Sequence, residues 1–299
     1  MNSTLAEARR RLLETIPRIG TWHADGVRAP HKPLLLLLAL GRLQRNEPRL
    51  VPFSEVEGKL RNLLKTHGPP RSSYHPEYPF WWLQTDGLWE VPGGEGLVKR
   101  KGHADPKIRE LRRAQGGFTK EIHQVLEAEP DMVRQFGRTL LNEHFPASYH
   151  EDLLSAVGLE VAETAPRRTA RDPGFREQVL NAYGYRCAIC GLDPLIDGAS
   201  AALEAAHLHW HSHGGPPRVE NGLCLCPLHH KGLDLGAIGI SEQRRVMISS
   251  RLHGGEALET FFGQYHGQAL RGPVHGHPPV HLEFVRWHTQ QVFKGPPRA

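Results

Sequence analysis

Helical spacing of apolar residues dominates the first half of the chain. The run from Leu34 to Leu40 is apolar on all sides and follows Pro33, which predicts a core helix that begins there. After Ser54, which fits a capping box with Glu57, apolar residues recur at helical spacing as far as Leu64. The same spacing predicts further helices at about residues 119–127, 131–143 and 147–157.

Strand and linker patterns interrupt these helices. Two aromatic segments, residues 80–84 and 88–91, flank Thr85-Asp86-Gly87, and this arrangement predicts a β-hairpin. Residues 162–171 are small, basic and aperiodic, which indicates a linker. We therefore predict an α+β protein with a helix-rich N-terminal domain and small sheet over residues 1–163, a linker over 164–172 and a second domain over 173–299.

Helices are also predicted at both ends of the second domain. Asp172-Pro173 fits a helix start, because proline is favoured at the first helical position. An apolar stripe follows it at Phe175, Val179, Leu180 and Tyr183. Near the other end, the segment 284–288 is interpreted as a packing helix.

Composition and charge narrow the class of protein. Hydrophobic residues make up 39% of the 299, and the longest apolar run, Leu34 to Leu40, is far below the ~18–20 residues that span a bilayer, so we expect no membrane partner. The N-terminus lacks the apolar segment of a secretory signal, so the expected location is the cytoplasm. A net charge of +5 and a pI near 9.1 favour an anionic partner such as nucleic acid.

The four cysteines of the chain are confined to a short stretch of the second domain. In a reducing compartment such clustering favours metal binding over disulfides. Cys187 and Cys190 form one pair with two residues between them, and Cys226 and His229 form another, which predicts a structural zinc site. Cys224 is left over: it either packs as a small apolar residue or replaces Cys226 as ligand, and four buried thiols without metal are the alternative.

A histidine, an asparagine and a second histidine follow in order around these pairs. His207, Asn221-Gly222 and His230 make residues 183–240 resemble the HNH, or ββα-metal, nuclease family. The resemblance implies hydrolysis of a phosphodiester bond, with His207 as the general base at the end of a strand, Asn221 as a brace of the following loop and His230 as a further catalytic residue.

The same segment offers ligands for a catalytic metal ion. His230 and Asp234 are spaced i, i+4, so a helix that begins at Pro227 places both on one face, where they can hold Mg²⁺ or Mn²⁺. Many family members carry a ligand directly before the base, where this chain has Ala206. Glu204, two positions earlier on the same strand, is the candidate to complete the ligand set; phosphate oxygens and water are the alternative.

The N-terminal domain carries a second resemblance. The segment 29–41, together with Tyr74-His75-Pro76-Glu77-Tyr78-Pro79-Phe80-Trp81-Trp82, resembles the sulfur-binding domain of type IV restriction enzymes that cut phosphorothioate DNA, over about residues 5–160. Sulfur in place of a phosphate oxygen is larger, more polarizable and less hydrated, so its reader should offer an apolar cup. Tyr78 and Pro79 are the candidates for this cup. Polar or cationic groups for the remaining phosphate oxygen could come from His31, Lys32 and Arg71. Lys101 and His103 are weaker candidates for base contacts.

These features together predict a modification-dependent restriction endonuclease that binds phosphorothioate-modified double-stranded DNA and cuts it with an HNH site. One alternative keeps the nuclease but makes the N-terminal domain a reader of methylated bases, which requires a pocket for a flipped base. A second alternative is a DNA-binding protein with structural zinc and no cutting activity. Cleavage of both strands by one centre per chain suggests a homodimer or two successive events.

Overall fold

The computed structural model describes residues 3–19, 30–161 and 173–299, and the chain divides into two compact units, Met1–Glu163 and Thr164–Ala299. Both units combine helices with small sheets, which confirms the α+β prediction. The predicted linker, residues 164–172, lies outside the described residues, as does Asp172. Among the described helices, none has both the length and the apolar character needed to cross a membrane.

Helices make up most of the N-terminal unit. They are α1 (Ser3–Thr15), α2 (His31–Gln44), α3 (Phe53–His67), α4 (Glu77–Trp82), α5 (Ile108–Leu111), α6 (Lys120–Ala128), α7 (Pro130–His144) and α8 (Ala147–Val157). A small antiparallel sheet has the order β1 (Val51–Pro52), β3 (Gln115–Phe118), β2 (Trp89–Glu90). The three helices predicted between residues 119 and 157 are confirmed as α6, α7 and α8.

Helix α2 forms the centre of this unit. Leu34 to Leu40 are all buried, so the predicted core helix is confirmed, although it begins at His31, two residues before Pro33. α2 packs against α3, α4, α7 and α8. At Gly41 a Cβ atom would lie 2.4 Å from the carbonyl oxygen of Val157, so the absence of a side chain there lets α2 meet the end of α8.

The predicted capping box at Ser54 is wrong. Helix α3 begins one residue earlier, at Phe53, and no side chain caps its first turn. Phe53 is fully buried and donates its amide to the carbonyl of Ala114 at 3.0 Å, so packing and this hydrogen bond fix the start of the helix. Glu57 instead accepts hydrogen bonds from Arg61 and Arg112 at 2.7 Å.

The predicted hairpin over residues 80–91 is also wrong in its first half. Residues 77–82 form α4, a 3-10 turn follows over Leu83–Asp86, and only Trp89–Glu90 is a strand. The ring of Phe80 is buried 5.0 Å from that of Phe53 and 5.5 Å from that of Trp89. A short helix buries this aromatic residue as well as a strand does, and local pattern alone cannot separate the two.

Ion pairs bind many arginines of the N-terminal unit to carboxylates. Glu57, with its side chain only 10% exposed, receives two guanidinium groups, those of Arg61 and Arg112. The other pairs are Arg9–Glu129, Arg10–Glu7, Arg10–Glu14, Arg42–Glu47, Arg45–Glu47, Arg49–Glu90, Arg100–Asp105, Arg109–Glu110 and Arg134–Asp131.

The C-terminal unit is built around a strand pair and a helix. Its elements are α9 (Pro173–Ala182), β4 (Leu195–Ile196), β5 (Ala199–Ser200), β6 (Glu204–His207), β7 (Gly222–Leu225), α10 (Pro227–Asp234), β8 (Ile238–Ile240), β9 (Val246–Ile248), α11 (Ala257–Phe261) and α12 (Leu282–Gln291). β6 and β7 are antiparallel, and with α10 they form a ββα unit. The predicted stripe of α9 is buried, and α12 packs through Phe284, Val285 and His288, as predicted.

Candidate functional site

Three cysteines and one histidine converge in the C-terminal unit. Cys187 and Cys190 follow α9, Cys226 directly precedes α10, and His229 lies in the first turn of α10. One ligand atom from each of these residues lies within 4.8 Å of all the others. In the described part of the chain, this is the one group of histidine, cysteine and acidic side chains with such spacing. The structure thus brings together the four residues predicted from the x2 spacing.

The geometry of this cluster fits a tetrahedral zinc ion. His229 Nδ1 lies 3.5 Å from Cys187 Sγ and 3.3 Å from Cys226 Sγ. Sulfur and nitrogen ligands at the usual zinc distances of ~2.3 and ~2.0 Å are about 3.5 Å apart at a tetrahedral angle. His229 Nε2 donates to the carbonyl of Phe261 at 2.9 Å, which leaves Nδ1 as the ligand atom. The residues therefore suit a structural zinc site.

Cys224 lies outside this cluster. It sits on β7 opposite Ala205, is fully buried, and burial raises the pKa of its thiol to about 12. Its sulfur is not among the four ligand atoms that lie within 4.8 Å of one another. The structure therefore places Cys226, and not Cys224, with the other three residues.

His207 ends strand β6, directly opposite Gly222 at the start of β7. Its imidazole stacks on the ring of Phe175 from α9, with ring centroids 3.9 Å apart and planes inclined by 21°. His207 as a residue is half-buried, whereas its Nε2 atom is fully buried. The position matches the expectation of a histidine at the end of the first strand of the ββα unit.

Asn221 is fully buried and closes the loop that follows His207. Its Oδ1 accepts the amide of His209 at 2.8 Å, and its Nδ2 donates to the carbonyls of His209 and Pro216, both at 2.9 Å. These three bonds tie the loop to the start of β7. The role of Asn221 as a brace in catalysis stays a prediction.

His230 lies between two carboxylates. Its Nδ1 donates to Glu204 Oε2 at 2.5 Å, and its Nε2 faces Asp234 Oδ2 at 3.3 Å, one helical turn along α10. Burial lowers the pKa of His230, but Asp234 and Glu204 outweigh it and raise the pKa to about 10. An imidazole offers one nitrogen to one ion, so Glu204 and Asp234 stand at opposite edges of the ring rather than around a common point.

The N-terminal candidates gather around the start of α2 and around α4. His31 is half-buried, and its pKa is lowered to about 4 by burial and by the positive charges of His75 and Arg71. Lys32 Nζ pairs with Asp86 Oδ2 at 2.5 Å. Arg71 is exposed and donates to the carbonyl of Pro70 at 3.2 Å.

Tyr78 has two polar neighbours that the sequence did not indicate. The ring of His75 stacks on it at 4.8 Å, and its hydroxyl oxygen accepts a hydrogen bond from Arg100 Nη1 at 3.2 Å. Tyr78 is half-exposed, whereas Pro79 beside it in α4 is buried. Tyr78 is therefore the more accessible of the two residues predicted to form an apolar cup.

We expect the N-terminal unit to lose stability as pH falls from 7 to 5. The pKa of His31 is about 4 in the folded unit and about 6.5 in an unfolded chain, so the unfolded chain takes up a proton that the folded unit does not. The contribution of neutral His31 is therefore complete above about pH 6.5 and is lost as pH falls towards 4, which amounts to at most about 2 kcal/mol between pH 7 and 5.

The free energy of unfolding in urea at pH 7 and at pH 5, monitored by hydrogen exchange of the segment 31–44, measures this loss. The His31→Gln variant removes the titrating group from the same helix position and should lose less stability over the same interval. Equal losses in the two proteins would show that other groups cause the pH dependence.

Comparison with known proteins identifies both units. Residues 187–241, which contain the cluster, His207, Asn221 and His230, match the family model for HNH endonuclease, so fold and site define a metal-dependent DNA endonuclease. Residues 9–162, more than half of the chain, match the family model "ScoMcrA-like, DNA sulfur-binding domain". The chain belongs to this family, and its domain content is that of a modification-dependent restriction endonuclease.

Solved structures resemble about half of the chain. The sulfur-binding domain of ScoMcrA complexed with phosphorothioated DNA is 25% identical, with 51% of this chain and 97% of that chain covered and a TM-score of 0.44. The corresponding domain of SprMcrA is 25% identical, with 50% and 93% covered and a TM-score of 0.43. The type IV phosphorothioation-dependent restriction endonuclease ScoMcrA is 26% identical, with 50% and 28% covered and a TM-score of 0.40. A search of curated proteins returned no match.

Proposed function

We propose that this protein binds phosphorothioate-modified double-stranded DNA through residues 1–163 and hydrolyses nearby phosphodiester bonds through residues 173–299, with residues 164–172 as linker. One observation carries the proposal. A single chain combines a match to a DNA sulfur-binding domain with a ββα unit that matches the HNH model. In that unit His207 ends the first strand, and Asn221 closes the loop that follows His207.

His207 is the proposed general base. A neutral imidazole accepts a proton from water, and the resulting hydroxide attacks phosphorus while the bond from phosphorus to the leaving oxygen breaks. Asn221 holds the backbone on both sides of His209, and thereby fixes the end of β6 from which His207 projects. Phe175 covers one face of the imidazole, so the water to be activated has to approach its edge or its other face.

Two metal ions complete the proposed function. Zn²⁺ at Cys187, Cys190, Cys226 and His229 would tie the segment after α9 to the start of α10. Mg²⁺ or Mn²⁺, bound by His230 and Asp234, would neutralise charge on the scissile phosphate and on the leaving oxygen. Glu204 contacts the other nitrogen of His230 and would orient that ring.

Sulfur recognition is proposed for the surface around Tyr78. Its half-exposed ring, stacked by His75, offers an apolar face that suits a polarizable, weakly hydrated sulfur atom. His31, Lys32 and Arg71 would contact the remaining phosphate oxygen. Pro79 is buried in α4, so its part in the cup would be to support Tyr78 from within the unit. Lys101 and His103 remain candidates for base contacts, and both are exposed.

Cleavage of matched duplexes tests the proposal. We expect selective cutting of a duplex with Rp phosphorothioates in a GC-rich core, in Mg²⁺ or Mn²⁺, over a plain duplex and a methylated duplex of the same sequence. Equal cutting of all three would keep the nuclease and reject the sulfur reader, and preference for the methylated duplex would favour a reader of modified bases. Binding of the sulfur duplex without cutting in either metal would identify a reader whose nuclease site is silent.

The HNH model matches the chain once, so cutting both strands takes two protomers or two successive events. Early accumulation of nicked duplex would indicate successive events. If nicked duplex does not accumulate and the cleavage rate depends on the square of protein concentration, the active species is a homodimer.

A further inference from the structure

We infer that Phe175 is a positioning residue for catalysis, because its ring fixes the plane of the His207 imidazole. Phe175 lies in α9, before the segment that matches the HNH model. The two rings are nearly parallel, with 3.9 Å between their centroids. The inference rests on the proposed role of His207 as the general base.

Phe175 cannot easily move away from His207. Its side chain is only 3% exposed, and its far end lies over Gly222, where an added Cβ would come within 3.1 Å of Phe175 Cζ. The same Cβ would lie 2.4 Å from Val179 Cγ2, one turn further along α9. Since Gly222 pairs with His207 across the two strands, α9 packs directly on the residue pair that contains the proposed base.

The stack acts on the orientation of the base rather than on DNA binding. A general base must direct one ring nitrogen at the water it deprotonates, and small errors in that direction slow the chemical step strongly. A histidine at a strand end can rotate about two side-chain bonds. The phenyl face removes one direction of rotation, and its burial keeps Phe175 itself away from the nucleic acid.

Substitution of Phe175 by leucine tests this inference in the full-length, zinc-loaded protein. Leucine keeps an apolar, buried side chain but removes the flat ring. We expect kcat on the phosphorothioate duplex to fall at least about tenfold, with KM changed by less than about twofold, because only the chemical step is affected. Leu180→Val, an equally buried position on the same helix, is the matched control and should retain kcat.

Phe175→Met is a second variant, because methionine fills irregular core space and keeps the fold if leucine does not. Circular dichroism and thermal unfolding show which variants are folded. In a folded variant, kcat equal to that of the wild type would overturn the inference.

Nuclear magnetic resonance of the histidine rings provides a readout independent of cutting. The Hε1 signal of His207, assigned by its absence in His207→Ala, should move when Phe175 is replaced, because the ring current of the phenyl group is lost. It should stay in place in Leu180→Val. An unmoved His207 signal in the Phe175 variants would overturn the inference. If the signal moves in these variants but the wild-type protein cuts no DNA, the proposed function is rejected and the stack of the two rings still holds.

Discussion

Replacement of His207 by alanine is expected to lower DNA cleavage by about 10³-fold or more and to leave binding of phosphorothioate DNA unchanged. Loss of a positioned general base typically costs 10²–10⁴-fold in rate. His207 belongs to the C-terminal unit, whereas the proposed sulfur contacts belong to the N-terminal unit, which has its own core. The two effects should therefore separate.

Parallel measurement of cleavage rate and of DNA binding by gel retardation checks this expectation. His253→Ala, which removes an exposed histidine of the same unit, is the control for a general loss of positive charge. Persistence of cleavage in His207→Ala, with its metal dependence unchanged, would mean that another residue is the base. Loss of binding together with cleavage would mean that the two units do not act separately.

Loss of the proposed zinc site is expected to unfold the C-terminal unit. Structural zinc in small domains contributes an apparent ~10–16 kcal/mol, which is as large as the whole stability of a typical domain, about 5–15 kcal/mol. Cys187→Ala removes one thiolate from the cluster and should abolish both zinc content and cutting. The N-terminal unit, whose sequence contains no cysteine, should still bind phosphorothioate DNA.

Cys224 offers a matched control for this experiment. Cys224→Ala makes the same substitution at a fully buried cysteine of the same core, outside the cluster. We expect this variant to retain its zinc, its thermal transition and most of its activity. Elemental analysis and thermal unfolding of both variants test this expectation. Equal zinc contents in the two variants would show that the cluster is not the zinc site.

Local spacing predicted which side chains of the C-terminal unit lie close together, but not all of their contacts. Two x2 pairs brought the four cluster residues together, because each short turn aims two side chains at one point. The i, i+4 spacing likewise put His230 and Asp234 on one face of α10. Spacing could not show that Glu204 contacts the opposite nitrogen of His230, since that depends on how β6 packs against α10.

Contacts between the site residues and residues outside the motifs could not be predicted from the sequence. Phe175 belongs to an apolar stripe that any buried helix would carry, so its stack on His207 had no local signal. The backbone carbonyl of Phe261 accepts a hydrogen bond from His229 Nε2, and no side-chain pattern in the sequence indicates this contact. The aromatic segment 80–84 was ambiguous between helix and strand until its contacts with Phe53 and Trp89 were known.

The paired arginines of the N-terminal unit bear on how the protein treats ordinary DNA. Sequence-independent affinity for a duplex comes from counterions released when cationic side chains meet phosphates. A guanidinium already held by a carboxylate, as Arg112 is by Glu57, adds little to this release, because the carboxylate repels the same phosphate. The count of 37 lysines and arginines therefore overstates how many cations are available to a duplex, and we expect the affinity for unmodified DNA to be lower than this count suggests.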